Sequence, residues 1–558
     1  MQGRTSSFSL SSVHPGEVDI IIASLSNSSS FGLDMIDTYI IKLIKPEILP
    51  ALTHIINLSI STRKFPDFWK KVKVIPLYKK EDLLNPKNYR PVAIVPIFSK
   101  VLERVIFNQM IQYLNNNKLI HPNHHAYRAN HNTTTALLQM YDVWLESLGN
   151  GEVAALCFLD MSAAFDIVDH TLLISKLDLY GFDSGTQAWI SSYLENRYQC
   201  VSIDGCLSKL RLVQHGVPQG SILGPLLYII FTNELPEVIH SDCTGADRMG
   251  EQIWPDYTMV CSTCGCIGCY ADDTTYSFSG TDPAVLSEHV TAKYQVLSDF
   301  LVSNKLKLND DKTHLMVMST SQARLSRERK GNTDKVVIKT PIKDIEPSET
   351  EKLLGCWLHQ DMKWGEHLQD NDESLIRSLN CRVGALKMIC RVANFKTRKM
   401  IADGIFMSKM TYLIALWGGS ADQLMNPLQK AQNKAARAVT KLDWNTPVRI
   451  LLQQCGSLSV HQLAVYHSVV MVYKVMQTES PKYLFSMFST KYNCDTRHAR
   501  RALIRPTRDC DLELSEESFR WRAARAFNAL PFSVRESSSM NTFKIEVKKW
   551  VKMNIPLD

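Results

Sequence analysis

The chain has 558 residues, of which 45% are hydrophobic and 21% charged, and its formal net charge is +7. This composition is typical of a globular protein with room for several domains, and it excludes a disordered or fibrous chain. No run of about 18 apolar residues or secretory leader is visible, so we predict an intracellular protein of the nucleus or cytoplasm with no membrane partner. The 14 cysteines are spread unevenly along the chain, which favours a reducing compartment over a disulfide scaffold.

The first 63 residues predict a helical extension. Apolar residues recur at helical spacing in residues 36–44 and 49–60. This stretch carries no chemistry of its own.

Residues 72–77 alternate in the manner of a β-strand, and a turn through Asn85 and Pro86 leads to a second strand from Tyr89. The resulting hairpin would bring Lys79 and Arg90 near each other on mobile arms. A lysine point charge and an arginine fork suit a triphosphate. An ordinary exposed hairpin with basic residues is the alternative.

Residues 153–159 predict a fully buried strand that ends at Asp160. Small residues follow at positions 162–164, and Phe165 comes next. A carboxylate at the end of a buried strand is either a metal ligand or the cap of a helix N-terminus. The sequence leaves both readings of Asp160 open when it is taken alone.

The stretch Gly-Val-Pro-Gln-Gly-Ser at residues 216–221 predicts a rigid loop before an apolar helix over residues 222–235. Such a loop would bring backbone and the Gln219 amide close to a flat ligand such as a base pair. By itself the motif is a weak signal.

Asp272 and Asp273 are adjacent, between residues 269–271 and 274–278, which read as two short strands. The two carboxylates then fall at the tip of a tight hairpin, where like charges repel. A divalent cation explains such a pair, because hard metals take carboxylate oxygens. Together with Asp160 they are enough to hold two Mg²⁺ ions and substrate phosphates, with Mn²⁺ as an alternative metal.

An insertion over residues 237–268 runs into the first of these strands. It contains a dense cysteine pattern formed by Cys261, Cys264, Cys266 and Cys269. The spacing resembles a zinc site, but no second Cys-x-x-Cys pair follows at the usual distance. Zinc binding and a plain free-thiol loop both remain open.

Beyond the hairpin, the pattern predicts a helix over residues 283–303, a strand over 314–318, a polar and basic loop over 321–334 and a short buried strand over 352–358. Lys312 precedes the first of these strands and is a candidate general acid for pyrophosphate departure. The alternative is a surface lysine beside Asp310 and Asp311.

Charge is distributed unevenly between the two ends of the chain. Residues 1–372 carry about −8 and residues 373–558 about +15, which together make the net +7. The second part reads as helical, and residues such as Arg398, Lys430 and Lys434 are spaced to form a basic face. Such a split favours a nucleic-acid-facing half.

Taken together and in this order, the motifs resemble the palm motifs of reverse transcriptases, most closely those of non-LTR (LINE-type) retrotransposons. They are Phe158-Leu159-Asp160 through Phe165-Asp166, Gly216-Val217-Pro218-Gln219-Gly220-Ser221, Tyr270-Ala271-Asp272-Asp273, Lys312-Thr313 and Leu353-Leu354-Gly355. Residues 76–80 and 89–91 resemble the fingers of the same family, and Phe527-Asn528-Ala529-Leu530-Pro531 resembles a later motif. The resemblance is strong over about residues 28–370 and loose elsewhere.

The resemblance implies an α+β right-hand polymerase with fingers, a palm built on an antiparallel sheet and a helical thumb. The implied domains are a helical extension (1–63), fingers and palm (64–370), a helical thumb (371–450) and a basic helical C-terminal region (451–558). Nothing in the chain reads as the endonuclease that full elements usually carry. We therefore expect the polymerase part of an element.

By matching position, the resemblance also implies roles for individual residues. Asp160, Asp272 and Asp273 would bind metal, Lys79 and Arg90 would contact the incoming triphosphate, Phe165 would block a ribose 2′-OH, Gln219 would support the template-side pocket and Lys312 would donate a proton. The implied activity is RNA-directed DNA polymerase: a primer 3′-OH is extended with dNTPs on an RNA template, with a DNA primer and two Mg²⁺ ions.

Two other functions are consistent with parts of the sequence. An RNA-dependent RNA polymerase is suggested by the spacing of Asp160 and Asp166, although Phe165 between them and the Pro218-Gln219-Gly220 loop argue against it. A decayed or co-opted copy that only binds nucleic acid is the other. The three intact carboxylates argue against decay.

Overall fold

The structure is a computed structural model. It describes residues 7–28, 30–79, 82–161, 164–239, 265–329, 335–341, 343–490, 504–506 and 518–556. Across these ranges, every helix is too short or too polar to cross a membrane.

Helices dominate the described part of the chain, and the strands gather into four sheets. The helices are α1 (Pro15–Ser24), α2 (Thr38–Leu43), α3 (Lys45–Thr62), α4 (Ile97–Asn116), α5 (Thr133–Gly149), α6 (His170–Leu179), α7 (Ser184–Leu194), α8 (Leu223–Thr232), α9 (Leu235–Val238), α10 (Pro283–Ser303), α11 (Ser321–Arg329), α12 (Leu375–Ile389), α13 (Phe395–Ala402), α14 (Ser408–Met410), α15 (Ile414–Trp417), α16 (Asp422–Thr440), α17 (Val448–Cys455), α18 (Val460–Thr478), α19 (Lys482–Ser486), α20 (Phe519–Asn528), α21 (Phe532–Arg535) and α22 (Met540–Asn554). The strands are β1 (Lys71–Tyr78), β2 (Tyr89–Ile94), β3 (Val153–Leu159), β4 (Arg197–Ile203), β5 (Cys206–Leu207), β6 (Arg211–Val213), β7 (Cys266–Tyr270), β8 (Asp273–Gly280), β9 (His314–Met318), β10 (Pro347–Ser348), β11 (Thr350–Leu353), β12 (Cys356–His359), β13 (Phe488–Thr490) and β14 (Ile504–Pro506). The predicted mixture of helices with antiparallel sheet is confirmed.

Contacts along the chain define two compact units, each built from three separate segments. The first unit comprises Met1–Tyr127, Asp160–Pro255 and Gln295–Lys312. The second comprises Arg128–Leu159, Asp256–Tyr294 and Thr313–Asp558. The linear domain boundaries expected from the sequence remain a prediction.

The first unit is organised around a five-stranded sheet in the order β2-β1-β4-β5, with β6 also paired to β4. β1 and β2 form the predicted antiparallel hairpin, whereas β1 and β4 run parallel. Four small apolar side chains on β1 and on or just after β2 form a buried cluster: Val72, Val74, Ala93 and Val95. The apolar helix α8 is buried along its whole length, because its sequence is apolar on every face.

The second unit contains a five-stranded sheet in the order β10-β9-β3-β8-β7. β3 lies at its centre and pairs antiparallel with both β8 and β9. All residues of β3 except Phe158 are buried, as its uninterrupted apolar run predicts. Helix α5 packs on this strand and begins at a capping box, in which Asn132 and Thr135 satisfy each other's backbone N–H groups.

The helices from α12 onward share one large hydrophobic core with this sheet. Aromatic packing within it includes Tyr473 and Phe543, whose rings stack at 3.7 Å. Arg398 does not belong to the predicted basic face. It is buried, and its guanidinium donates to the carbonyls of Val439 at 2.6 Å and Ala393 at 2.9 Å, so it joins two segments of the helical region.

Two local predictions are wrong. Residues 321–329 form helix α11 instead of a loop, because helix-forming Gln, Ala, Arg and Leu residues follow Thr320, whose hydroxyl accepts from the Ala323 N–H at 3.1 Å. The single strand expected over residues 352–358 is a hairpin of β11 and β12. Leu354 and Gly355 form its turn, both with positive φ, as the tight turns of β-hairpins require.

Candidate active site

The acidic pair lies in the turn of the β7–β8 hairpin, which confirms the predicted hairpin. Tyr270 pairs with Asp273, so Ala271 and Asp272 form a two-residue turn and Asp273 begins β8. Both aspartates are exposed, whereas Thr274 to Ser277 behind them are buried. The carboxylates therefore stand at the end of a hairpin whose body is held in the sheet.

The turn itself contains a strained residue. Ala271 has a φ of +58°, a left-handed conformation that costs an L-residue about 1–2 kcal/mol. Such conformations persist where the surroundings enforce them, and they cluster at functional sites. Here the pairing of Tyr270 with Asp273 closes the turn and holds Ala271 in this conformation.

The sheet register brings the end of β3 next to this hairpin. Leu159, the last residue of β3, pairs with Thr274, the residue after Asp273. Asp160 is the next residue in the chain. The structure therefore confirms the predicted strand over residues 153–159 with Asp160 directly after it.

Asp160 and Lys312 are brought together within the first unit. The Lys312 ammonium lies 3.5 Å from a carboxylate oxygen of Asp160, and the backbone carbonyl of Asp160 accepts from the Asn309 N–H at 2.9 Å. Lys312 is therefore an ion-pair partner of a candidate ligand. Its predicted role as a proton donor stays a prediction.

The described residues contain no cluster of three or more His, Cys, Asp or Glu side chains arranged to hold a metal ion. The donor chemistry nevertheless fits Mg²⁺, because Asp160, Asp272 and Asp273 offer only carboxylate oxygens. Asp160 already attracts one cation, the Lys312 ammonium. Metal binding by the three aspartates stays a prediction.

The basic residues predicted for triphosphate binding share one hairpin. Arg90 lies opposite Leu77 in the β1–β2 ladder, and the Lys79 N–H donates to the Asn88 carbonyl at 2.9 Å. Opposed residues of an antiparallel pair and residues two apart on a strand share a face, so Lys79 and Arg90 are diagonal neighbours on one face. Both are exposed, which leaves their charges available to an anion.

The loop at residues 216–220 can approach its neighbours closely because it contains two glycines with positive φ. A Cβ on Gly216 would lie 2.6 Å from the backbone of Asp166, and one on Gly220 would lie 2.5 Å from the Ala93 carbonyl oxygen. The Ala93 N–H in turn donates to the Gln219 carbonyl at 2.7 Å, so the loop covers the free edge of β2. The predicted loop is therefore confirmed, and close backbone contacts join it to Asp166 and Ala93.

The Gln219 side chain is bound to Asp166. Its Nε2 donates to both carboxylate oxygens, at 3.0 and 3.1 Å. Burial raises the pKa of Asp166 above its usual value, and the hydrogen bonds from Gln219 partly oppose that rise. Both side chains line a cavity of about 240 Å³ between β1, β2, β4 and the loop.

Phe165, the predicted ribose gate, packs against helix α8. Its ring stacks on that of Tyr228 with centroids 4.4 Å apart and planes 20° apart, and Tyr228 is fully buried. The Phe165 carbonyl accepts from the Val217 N–H at 2.8 Å. Stacking on Tyr228 therefore positions the ring, and the hydrogen bond from Val217 fixes the Phe165 backbone beside the glycine loop.

Sequence reasoning missed Glu103, which supports the loop from behind. It is fully buried, and its carboxylate accepts from the Ser99 hydroxyl at 2.7 Å and from the N–H groups of Ile222 at 2.8 Å and Leu223 at 3.2 Å. A carboxylate at a helix N-terminus satisfies orphan N–H groups and the helix dipole. The available signal was a charged residue within the apolar stripe of α4.

The zinc prediction is not supported. Cys261 and Cys264 lie outside the described residues. Cys266 and Cys269 lie three residues apart on β7, so their side chains point to opposite faces of the sheet and cannot bind one ion together. Burial also raises the pKa of both thiols to about 12, which disfavours the thiolate that zinc requires.

Known proteins resemble the chain over most of its length. Residues 78–358 match the family model described as reverse transcriptase (RNA-dependent DNA polymerase). The chain is 26% identical over 446 residues to the RNA-directed DNA polymerase from mobile element jockey of Drosophila melanogaster, an alignment covering 78% of this chain and 45% of that protein. It is 26% identical to the probable RNA-directed DNA polymerase from transposon BS (76% of this chain, 44% of that protein) and 23% identical to that from transposon X-element (77% and 44%), both of the same species.

These matches confirm the resemblance to the enzymes of non-LTR retrotransposons that the motifs indicated. The chain spans less than half the length of these curated relatives. The matched segment covers half of the chain and contains Asp160, the glycine loop and the β7–β8 hairpin described above. The chain belongs to the reverse transcriptase (RNA-dependent DNA polymerase) family.

Proposed function

We propose that the chain is an RNA-directed DNA polymerase that extends a primer 3′-OH with dNTPs on an RNA template by a two-metal mechanism. The observation that carries the proposal is the acidic β7–β8 turn. Strand β8 of this hairpin also pairs with β3, and Leu159 at the end of β3 lies opposite Thr274. Asp160 therefore follows β3 next to the strand that begins with Asp273. The relatives' names support the enzyme class.

We further assign the parts of a right hand to this fold. The β1–β2 hairpin would belong to the fingers, the sheet containing β3, β7 and β8 to the palm, and the helices from α12 to α16 to the thumb. The boundaries proposed are those expected from the sequence: 1–63, 64–370, 371–450 and 451–558. The net charge of about +15 over residues 373–558 supports contact of the helical part with phosphate backbones.

Four residues of the first unit would bind the nucleotide. Arg90 and Lys79 hold the triphosphate, the guanidinium by paired hydrogen bonds and the ammonium as a point charge. Phe165, whose ring stacks on Tyr228, would block a ribose 2′-OH. Gln219 lines the adjoining cavity and supports the pocket on the template side.

Asp160, Asp272 and Asp273 would hold the two Mg²⁺ ions, which Mn²⁺ could replace. Bound metal supplies charge neutralisation of the triphosphate and a lowered pKa for the primer hydroxyl. Lys312 is positioned at Asp160 and donates a proton to the departing pyrophosphate. The side chains themselves therefore align the substrate and supply the proton, and most of the rate acceleration comes from positioning and electrostatics.

Primer extension tests the proposal. The protein should extend a DNA primer annealed to an RNA template with dNTPs, only when Mg²⁺ or Mn²⁺ is present. A preference for rNTPs would identify an RNA-dependent RNA polymerase instead. Binding of the primed template without any extension in either metal would identify a nucleic-acid-binding copy and refute the proposed activity.

A further inference from the structure

Asp166 contacts none of the groups proposed to bind metal or triphosphate, yet the structure holds it in a defined place. The turn containing it is joined to the glycine loop by hydrogen bonds from the Gly216 N–H to the Val168 carbonyl at 2.9 Å and from the Val217 N–H to the Phe165 carbonyl at 2.8 Å. His170 adds a third link, with its Nε2 2.8 Å from the Gly216 carbonyl oxygen. Asp166 and Gln219 are therefore presented to each other by rigid backbone.

The contact between the two side chains fixes the orientation of an amide. A glutamine amide has a donor end, the NH₂ group, and an acceptor end, the carbonyl oxygen. A rotation of the amide by 180° exchanges their positions. An ionised carboxylate only accepts, so it binds the Nε2 end and repels the Oε1 end. Since Nε2 lies 3.0 and 3.1 Å from the two oxygens of Asp166, the donor end of Gln219 is directed at this carboxylate. Its carbonyl Oε1 is the end not bound to Asp166, and it can accept a hydrogen bond from a ligand.

We propose that Asp166 is a positioning residue that locks the Gln219 amide with its carbonyl oxygen facing the nucleotide pocket, so that the pocket accepts a hydrogen bond from a donor group of the incoming nucleotide. This inference rests on the proposed polymerase function. Without Asp166, the amide would turn freely and would present its NH₂ group to the ligand for part of the time. The pocket would then lose preorganisation, which raises the nucleotide KM without removing any group that reacts.

Cycles of single and double variants separate this role from a structural one. We expect Asp166→Leu and Gln219→Ala each to raise the KM for dNTPs about tenfold, the typical cost of one lost substrate hydrogen bond, with kcat within about twofold. The double variant should be no worse than Gln219→Ala alone, because Asp166 acts only through Gln219. Asp166→Asn keeps an acceptor oxygen and should recover most of the loss.

The chain contains a matched control. On the surface of the first unit, Gln187 donates from Nε2 to Asp178 at 2.9 Å, the same pair of side chains remote from the glycine loop. Asp178→Leu should leave both kinetic constants unchanged. Melting temperatures of all variants show whether any loss comes from unfolding.

If the double variant raised KM by the product of the two single-variant factors, the two residues would act independently and the inference would be overturned. A readout independent of activity comes from hydrogen exchange of the Gln219 side-chain NH₂ in protein labelled with ¹⁵N-glutamine and assigned by Gln219→Ala. Exchange should be slow in the wild type and fast in Asp166→Leu; fast exchange in both would also overturn it. If the wild type extends no primer, the proposed function fails and the exchange measurement still decides the role of Asp166.

Discussion

The chain has two hairpins of opposite charge that are built in opposite ways. The acidic hairpin, β7–β8, turns in two residues, and its body is buried within the five-stranded sheet. The strands of the basic hairpin, β1–β2, are joined by a longer connection, in which residues 82–87 are exposed. The first hairpin carries its charges at a two-residue turn, whereas the second carries Lys79 and Arg90 on either side of a longer connection.

This difference matches the ligands that we propose. Metal ions require carboxylate oxygens at defined distances, so a strained two-residue turn with little freedom is suitable. A triphosphate arrives and leaves at every step, and long cationic side chains on an exposed hairpin can follow it. The comparison therefore predicts that changes at the acidic turn act on the rate and that changes at the basic hairpin act on binding.

The largest effect is expected from neutralising the acidic turn. Asp272→Asn and Asp273→Asn should each lower kcat for primer extension by at least about 10³-fold, because a metal ligand is lost. Both carboxylates are exposed, so the melting temperature should change little. Glu288→Gln, which removes an exposed carboxylate from α10 in the same unit, is the matched control and should be fully active. Equal extension by Asp272→Asn and wild type would refute the metal assignment.

A single inserted glycine tests rigidity directly. Between Ala271 and Asp272 it would lengthen a two-residue turn and shift the register behind it, so we expect extension to fall by about 10²-fold or more. The same insertion between Leu84 and Asn85, at an exposed position of the basic connection, should change activity by no more than about threefold. Similar losses at the two places would remove the distinction between the hairpins.

Removing the Arg90 guanidinium from the basic hairpin should weaken the affinity for the incoming dNTP. Arg90→Ala is expected to raise the dNTP KM by about 10- to 50-fold with a smaller change in kcat, because a forked contact to phosphate is lost. Arg90→Lys should recover only part of the lost dNTP affinity, because an ammonium cannot make the forked contact. Arg211→Ala, an exposed arginine on β6 of the same sheet, serves as the control and should leave KM unchanged. Steady-state kinetics with a homopolymer template measure these constants. An unchanged KM in Arg90→Ala would contradict the proposed contact with the triphosphate.

The smallest effect concerns the strained turn residue. Ala271→Gly relieves the left-handed φ but adds freedom to the unfolded chain, so we expect a gain of about 0.5 kcal/mol in the free energy of unfolding. In the middle of α12 the same exchange, Ala385→Gly, should instead destabilise by about 1 kcal/mol. Urea unfolding of both variants measures this, and a loss of stability in Ala271→Gly would show that the turn is not strained.

Much of the candidate site could be predicted from local sequence patterns. The apolar run of β3, the acidic turn and the hairpin carrying Lys79 and Arg90 each follow from a signal within one short continuous segment. The parallel pairing of β1 with β4 could not be predicted, because it joins segments more than a hundred residues apart with no local signal. The anchoring of α8 by Glu103 is of the same kind.

Two sequence patterns were poor guides to the structure. Helix α11 has a strongly polar sequence without an apolar stripe, so apolar periodicity does not reveal it. Its residues nevertheless have high helix propensity. The cysteine spacing suggested a metal site, but a strand sends Cys266 and Cys269 to opposite faces. Spacing predicts contact only when the backbone conformation is known.

Metal-directed cleavage would test the central claim most directly. Fe²⁺ bound in place of Mg²⁺, with ascorbate and peroxide, generates radicals that cut the nearby backbone, and mass spectrometry locates the cuts. We predict cuts close to Asp160 and to the turn at Asp272, suppressed by excess Mg²⁺ and absent in the Asp272→Asn variant. Cuts confined to other segments, or cuts at these positions that neither Mg²⁺ nor the variant removes, would contradict a metal site built on these carboxylates.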